Sequence, residues 1–363
     1  MDEKNYSKPI FYLLLAFSLV TMLLLCKYLS SVLLPAVVAV LLGLSLSPII
    51  QKITRKTKLP WVLTSIFLII AMLIVVSLLS SLLLSSLNTI VNEYPKYEKR
   101  FQSIYKVLAD NFGLAFDEQK NIFENMWSSL NIRQYIQKIA IYLSSGFINA
   151  GKNIFMTVLL LAFFLVEMRL TEKKIRIIFV KHHIKSMSTQ IVFEVSRYIS
   201  IKFFISLATG VIVFLSTWAI GLSFPIIWGF LAFIMNFIPT FGSIISTAIT
   251  TIFALLQFYP SWGRVIFVLI IMILVNFLLG NILEPRIEGK HLGLSPFVIL
   301  ICLTLWGWAW GFIGMILAVP MTVIIKIICE NVSYLNKFAI LLGNDATYNN
   351  TAKKTEDSEK EKK

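Results

Sequence analysis

The sequence predicts an all-α polytopic membrane protein of about eight membrane segments, two of them broken or re-entrant in the C-terminal half. Three observations carry that expectation. Hydrophobic residues make up 57% of the 363 positions and charged residues 14%, where a soluble domain carries about a quarter charged. Mean hydropathy is +0.80. The apolar residues fall in runs of spanning length, separated by short stretches in which Lys and Arg gather. Too few charges remain to clothe a soluble surface. The same composition excludes a disordered, collagenous or disulfide-rich secreted chain. The net charge of +14 does not indicate nucleic acid, because the basic residues sit between apolar runs as they do in cytoplasmic loops.

The first run is Ile10–Cys26, after Lys4 and Lys8. No small-residue cleavage site follows, so an uncleaved first span is expected. The second run is Ser31–Ile50 and the third Trp61–Leu87. Between them Lys52, Arg55, Lys56 and Lys58 stand without an acidic partner, which marks that loop as cytoplasmic and places the N-terminus on the same side. Residues 1–87 thus form three N-terminal spans. In residues 88–146 acidic and basic residues nearly balance, and Ile122, Met126, Leu130, Ile136, Ile139 and Leu143 recur at helical spacing. This segment reads as an insert of amphipathic helices on the outer side. Residues 147–197 hold a fourth span, about Phe147–Val166, and a basic cytoplasmic stretch from Arg169 to Lys185. A fifth span, about Tyr198–Ile220, opens a core that runs through residue 330. The tail, 331–363, is cytoplasmic and ends in a polar run rich in Lys and Glu that is expected to be disordered.

Two segments of the core, 225–258 and 296–329, are too long for single straight spans. At about 1.5 Å per residue each would far exceed a hydrocarbon layer about 30 Å thick. Each contains its own breaker: Asn236-Phe237-Ile238-Pro239-Thr240-Phe241-Gly242 in the first, and Gly307, Gly311, Gly314 and then Pro320 in the second. Broken backbone at membrane depth is tolerated where protein buries it or a polar cavity meets it, and paired breaks point to a transport site. There is also an internal echo. Gly221-Leu222-Ser223-Phe224-Pro225 opens the first segment and Gly293-Leu294-Ser295-Pro296 the second. Two repeats, each a span followed by a re-entrant hairpin and facing each other across the membrane, satisfy the charge pattern. One crossing per segment satisfies it too, and either leaves the C-terminus cytoplasmic.

The motif Asn236-x2-Pro239-x2-Gly242 resembles a motif of the AI-2E (autoinducer-2 exporter) family. So does the stretch from Asn281 through Glu284-Pro285-Arg286 and Gly289 to Leu294-Ser295-Pro296. The run Leu305-Trp306-Gly307-Trp308-Ala309-Trp310-Gly311-Phe312-Ile313-Gly314, closing on Leu317-Ala318-Val319-Pro320, is similar to the family's ending. The resemblance implies a bacterial inner-membrane transporter and a homo-oligomer, a pentamer. Some members are implicated in export of autoinducer-2 and others in sodium/proton antiport.

Candidate site residues follow from chemistry. Asn236, Thr240, Ser243, Ser246, Thr247, Asn276 and Asn281 lie in or beside breaks and spans, and would bind a small polyol-like solute without full charges. The same residue types also hydrogen-bond between helices. Pro239 with Gly242, and Gly311 with Gly314, are the expected breaks. No Asp or Glu is expected within an apolar run, which weakens the antiport reading. Glu284 and Glu288 stand as the plausible proton sites, with an ion pair to Arg286 or Lys290 at the membrane surface as the plainer role, and Asn236, Asn276, Glu284 and Arg286 are the polar candidates for binding or gating. Gly307, Gly311, Gly314 and Ala318 are expected on one helical face, as a stripe for close helix packing. Trp306 and Trp310, one turn apart, either line the path or anchor at the interface. Cys26, Cys302 and Cys329 have no CxxC spacing and read as small buried hydrophobes. His182 and His183 have no third ligand, and there is no P-loop, dinucleotide fingerprint or nucleophile triad. The expected function is therefore a transporter or exporter of a small polar solute, autoinducer-2 among the candidates, working by alternating access. It should be no enzyme and use no metal or cofactor. Its partners are its substrate, the bilayer and further copies of itself. A sodium/proton antiporter, or a scaffold acting through the outer insert, is the alternative.

Overall fold

The computed structural model describes residues 7–112, 151, 153–168, 182–288, 293–332 and 335–343. These residues are helical, with no strand beyond a single bridge between Leu294 and Gly343. The helices are α1 (Ser7–Tyr28), α2 (Ser30–Thr57), α3 (Trp61–Phe112), α4 (Asn153–Met168), α5 (His182–Ala219), α6 (Pro225–Met235) and α7 (Phe241–Phe258). Next come α8 (Trp262–Val275), a π-helix (Asn276–Leu283), α9 (Glu284–Glu288), α10 (Pro296–Asn331) and α11 (Asn336–Leu342). Among the described residues, six helical segments are long and apolar enough to cross a membrane.

The chain divides into two compact units. The first comprises residues 1–69, 153–200 and 288–363. Its centre is dry: Ile50, Leu161, Leu165 and Val195 are fully buried. Polar groups that must enter it find backbone acceptors. Trp61 Nε1 donates to the Leu165 carbonyl at 2.8 Å, and Ser196 Oγ to the Leu44 carbonyl at 2.7 Å. The second unit comprises residues 70–152 and 201–287, with a core that includes Val213, Trp228, Ala254, Val268 and Met272.

Both long segments fold back on themselves. In the second unit, α6 and α7 form a helical hairpin with its tip at Asn236–Thr240. Asn236, Phe237 and Ile238 donate backward to the last turn of α6, and Pro239 has no amide to continue the ladder. Trp228 packs on Phe253 across the pair at 4.8 Å. Gln257 closes the base, accepting from the Ser223 amide at 2.8 Å and donating to the Gly221 carbonyl at 2.7 Å.

In the first unit, α10 breaks at Gly311, whose φ of 64° and ψ of −145° are non-helical. The arms 296–310 and 312–331 lie side by side. The Cys302 thiol meets the Thr322 hydroxyl, residues that a straight helix would hold about 30 Å apart. The stripe expected from Gly307, Gly311, Gly314 and Ala318 is therefore not one continuous helical face. Gly311 is the turn, and Gly314 faces the Trp306 carbonyl from the opposite arm. The echo between the two openings has a structural counterpart. Gly221 and Gly293 both take positive φ, Leu222 and Leu294 are both buried, and Pro225 and Pro296 both start their helices.

Helix α3 has no boundary at residue 88. It runs as 52 residues through Pro95 to Phe112. Its distal part belongs to the second unit, where Tyr97 packs on Phe224 and Phe253 with ring centroids 6.2 and 5.1 Å away. The periodic residues Ile122 to Leu143 lie outside the described residues. Cys329 is buried, whereas Cys26 and Cys302 are half-buried.

Candidate solute-binding site

The second unit contains an open cavity of about 690 Å³, within the range of small-molecule sites. Four pieces of backbone build it: α5, the hairpin tip with the start of α7, α8, and the π-helix running into α9. Asn236, Pro239, Thr240, Ser243, Thr247, Asn276, Asn281 and Glu284 line it, with Lys202 from α5. Ile244, Leu269, Ile273 and Phe277 supply apolar wall.

The hairpin tip is over-determined. Thr240 sits at φ 64° and ψ −59°, an outlier for a β-branched residue and the kind of strain that gathers at functional sites. Gly242 cannot carry a side chain, because a Cβ there would collide with the Met235 carbonyl. Asn236 is buried at 5% exposure and donates from Nδ2 to Ser206 Oγ at 3.0 Å. That bond holds the tip against α5.

On the facing side the chain winds as a π-helix for eight residues. Such turns are rare and concentrate at functional positions. Asn276, Gly280 and Glu284 come from this stretch and the start of α9. All three line the cavity. Asn276 Nδ2 donates to Thr247 Oγ1 at 2.9 Å, bridging to α7.

Glu284 is helical and lies within the candidate span Trp262–Ile287. It stands in the last turn of that span, at a span end as the sequence suggests. Its ion-pair partner is Lys202 rather than Arg286, and Lys290 lies outside the described residues. Lys202 Nζ donates to Glu284 Oε1 at 2.5 Å, with side chains 5% and 14% exposed. Arg286 is exposed on α9 and is absent from the cavity wall. Trp306 and Trp310 belong to the first unit, tilted against each other with ring centroids 4.8 Å apart, and buried. Trp310 Nε1 donates to the Cys26 carbonyl at 2.8 Å, and Lys27 Nζ lies 3.8 Å over the Trp308 ring. In this structure the Trp306–Trp310 pair clasps α1 to the second hairpin. Gly311 and Gly314 shape that hairpin, again in the first unit. Of the candidate residues, the second unit thus gathers those of the first break and the π-helix. The residue that sequence reasoning missed is Lys202, a lone cation within the fifth apolar run.

The profile of the AI-2E family transporters matches residues 12–333. The chain belongs to the AI-2E transporter family. The match extends the resemblance from the C-terminal motifs to nearly the whole chain. A relative in Borreliella burgdorferi, provisionally assigned by name to transport, is 32% identical over 87% of this chain and 86% of its own. The AI-2 transport protein TqsA of Escherichia coli is 28% identical over 87% of this chain and 90% of its own. The Escherichia coli protein YhhT, also provisionally assigned to transport, is 30% identical over 84% and 86%. With its spanning helices, this AI-2E family member is a multi-pass membrane transporter.

Proposed function

We propose that the protein moves a small polar solute across the bacterial inner membrane by alternating access, binding it in the cavity of the second unit. The observation that carries this reading is the cavity's make-up. Amide and hydroxyl groups of Asn236, Thr240, Ser243, Thr247, Asn276 and Asn281 converge on one space at a broken helix and a π-helix. Groups of this kind recognise a hydroxylated solute through paired hydrogen bonds. Autoinducer-2 is the first candidate, because the relative TqsA is named for its transport. Both termini are proposed to lie in the cytoplasm, a reading supported by the basic residues at the end of α2, and the functional particle is proposed to be a homo-oligomer, a pentamer.

A second reading, sodium/proton exchange, is favoured by Glu284 standing in the cavity rather than in a surface loop. Proteoliposomes separate the two. Labelled autoinducer-2 flux that ignores sodium supports the first; sodium-driven proton movement without solute flux supports the second. For the first reading, Asn276→Leu should lower solute flux about tenfold, the equivalent of one lost hydrogen bond of about 1.4 kcal/mol. Unchanged flux in that variant would remove Asn276 from the site.

A further inference from the structure

We propose that the Lys202–Glu284 pair is the charge filter of the cavity, restricting its cargo to uncharged solutes. The inference rests on the cavity being the binding site and names the class of cargo it takes. The two side chains come from separate helices, meet at 2.5 Å and are almost withdrawn from solvent. Both line the same cavity, and the other polar groups lining it are amides and hydroxyls: Asn236, Thr240, Ser243, Thr247, Asn276 and Asn281. A buried cation and a buried anion in contact cancel most of each other's field. The cavity therefore presents hydrogen-bonding capacity with almost no net charge. Lys202 Nζ has donors beyond the one given to Glu284, and Glu284 has a second oxygen. A neutral hydroxylated solute can use these without disturbing the pair. An anion would have to displace Glu284 from Lys202, or a cation Lys202 from Glu284, and each displacement leaves one buried charge uncompensated.

The filter has a consequence that a merely structural ion pair lacks. Removing one partner exposes the other charge to the cavity and should create a site for ions of opposite sign. The test uses the purified full-length protein in detergent and follows its thermal unfolding midpoint against added inorganic phosphate, at constant ionic strength. A ligand that binds only the folded state raises the midpoint in proportion to its occupancy. Glu284→Gln is expected to show an upward shift that saturates with phosphate. The wild type and the reversed pair Lys202→Glu/Glu284→Lys are expected to show none. Should Glu284→Gln fail to fold, Lys202→Met titrated with sodium makes the same decision with the sign inverted. The proposal is overturned if phosphate stabilises the wild type as strongly as Glu284→Gln, or if the folded single variant gains nothing. Because the readout is ion binding, it stays separate from the transport reading. Phosphate binding gained by Glu284→Gln, together with a wild type that moves no solute in proteoliposomes, would refute the carrier and keep the exclusion of ions from the cavity.

Discussion

At the scale of single residues, the first hairpin turns on Gly242. Its missing Cβ lets the start of α7 press against the Met235 carbonyl, which is backbone and cannot give way as a side-chain tip would. Gly242→Ala should cost about 1–3 kcal/mol, the usual penalty of overpacking, read as a lower unfolding midpoint. A midpoint within error of wild type would mean that the tip can open without loss. The sequence made this position legible, since Pro239 and Gly242 interrupt an apolar run and each has its own mechanism. Lys202 was not legible in the same way. One lysine in a long apolar run does not change how the run reads, and its partner Glu284 lies 82 positions away. Nothing local announces a pair whose members meet only after α5 and the π-helix are packed.

At the scale of elements, hairpins were easier to foresee than helix types. The lengths of segments 225–258 and 296–329 demanded a break, and the backbone breaks at Pro239–Thr240 and Gly311. The π-helix has no comparable signature, because its i→i+5 bonding is set by packing and not by a residue type. The third span ends close to where the sequence puts it, at Ile90 against Leu87, but the helix does not end with it. Charged residues after Leu87 change the face α3 shows to its surroundings, but the intrahelical hydrogen bonds run on regardless. Tyr97 shows what the continuation is for, since it seals the base of the first hairpin against Phe224 and Phe253. Tyr97→Ala should cost about 3 kcal/mol, measured by denaturation in detergent; a loss below about 1 kcal/mol would show that the contact is incidental. Burial pushes the Tyr97 phenol above its ordinary value of 10.0. The folded state therefore holds the proton more tightly than the unfolded chain does. Its contribution is present below that value and fades as pH rises through the raised one. Tyr97→Phe should flatten this alkaline loss of stability, and an identical alkaline limb in the variant would assign the loss elsewhere.

At the scale of the whole molecule, the two hairpins open on matching Gly-Leu-Ser sequences with matching local conformations. The inverted repeat expected from the sequence predicts that the two tips are reached from opposite sides of the membrane. Phe241→Cys and Phe312→Cys, both exposed at the parent residue, should react with an impermeant thiol reagent from opposite sides in a cysteine-free background. Labelling of both from one side would overturn the inverted arrangement. The structure also changes where an insert deletion should be cut. Removing residues from 88 onward would sever α3 and take Tyr97 with it, so a deletion meant to spare the hairpin must begin after Phe112.

The length of α3 carries one more implication. At 52 residues it is about 78 Å long, well over twice a hydrocarbon layer about 30 Å thick. The helix is held partway along, where Tyr97 packs on the first hairpin and Arg100 donates to the Tyr259 carbonyl at 3.3 Å. A movement of that hairpin carries the distal turns of α3 with it, so a spectroscopic label near Phe112 would work as a gauge needle for the hairpin's motion.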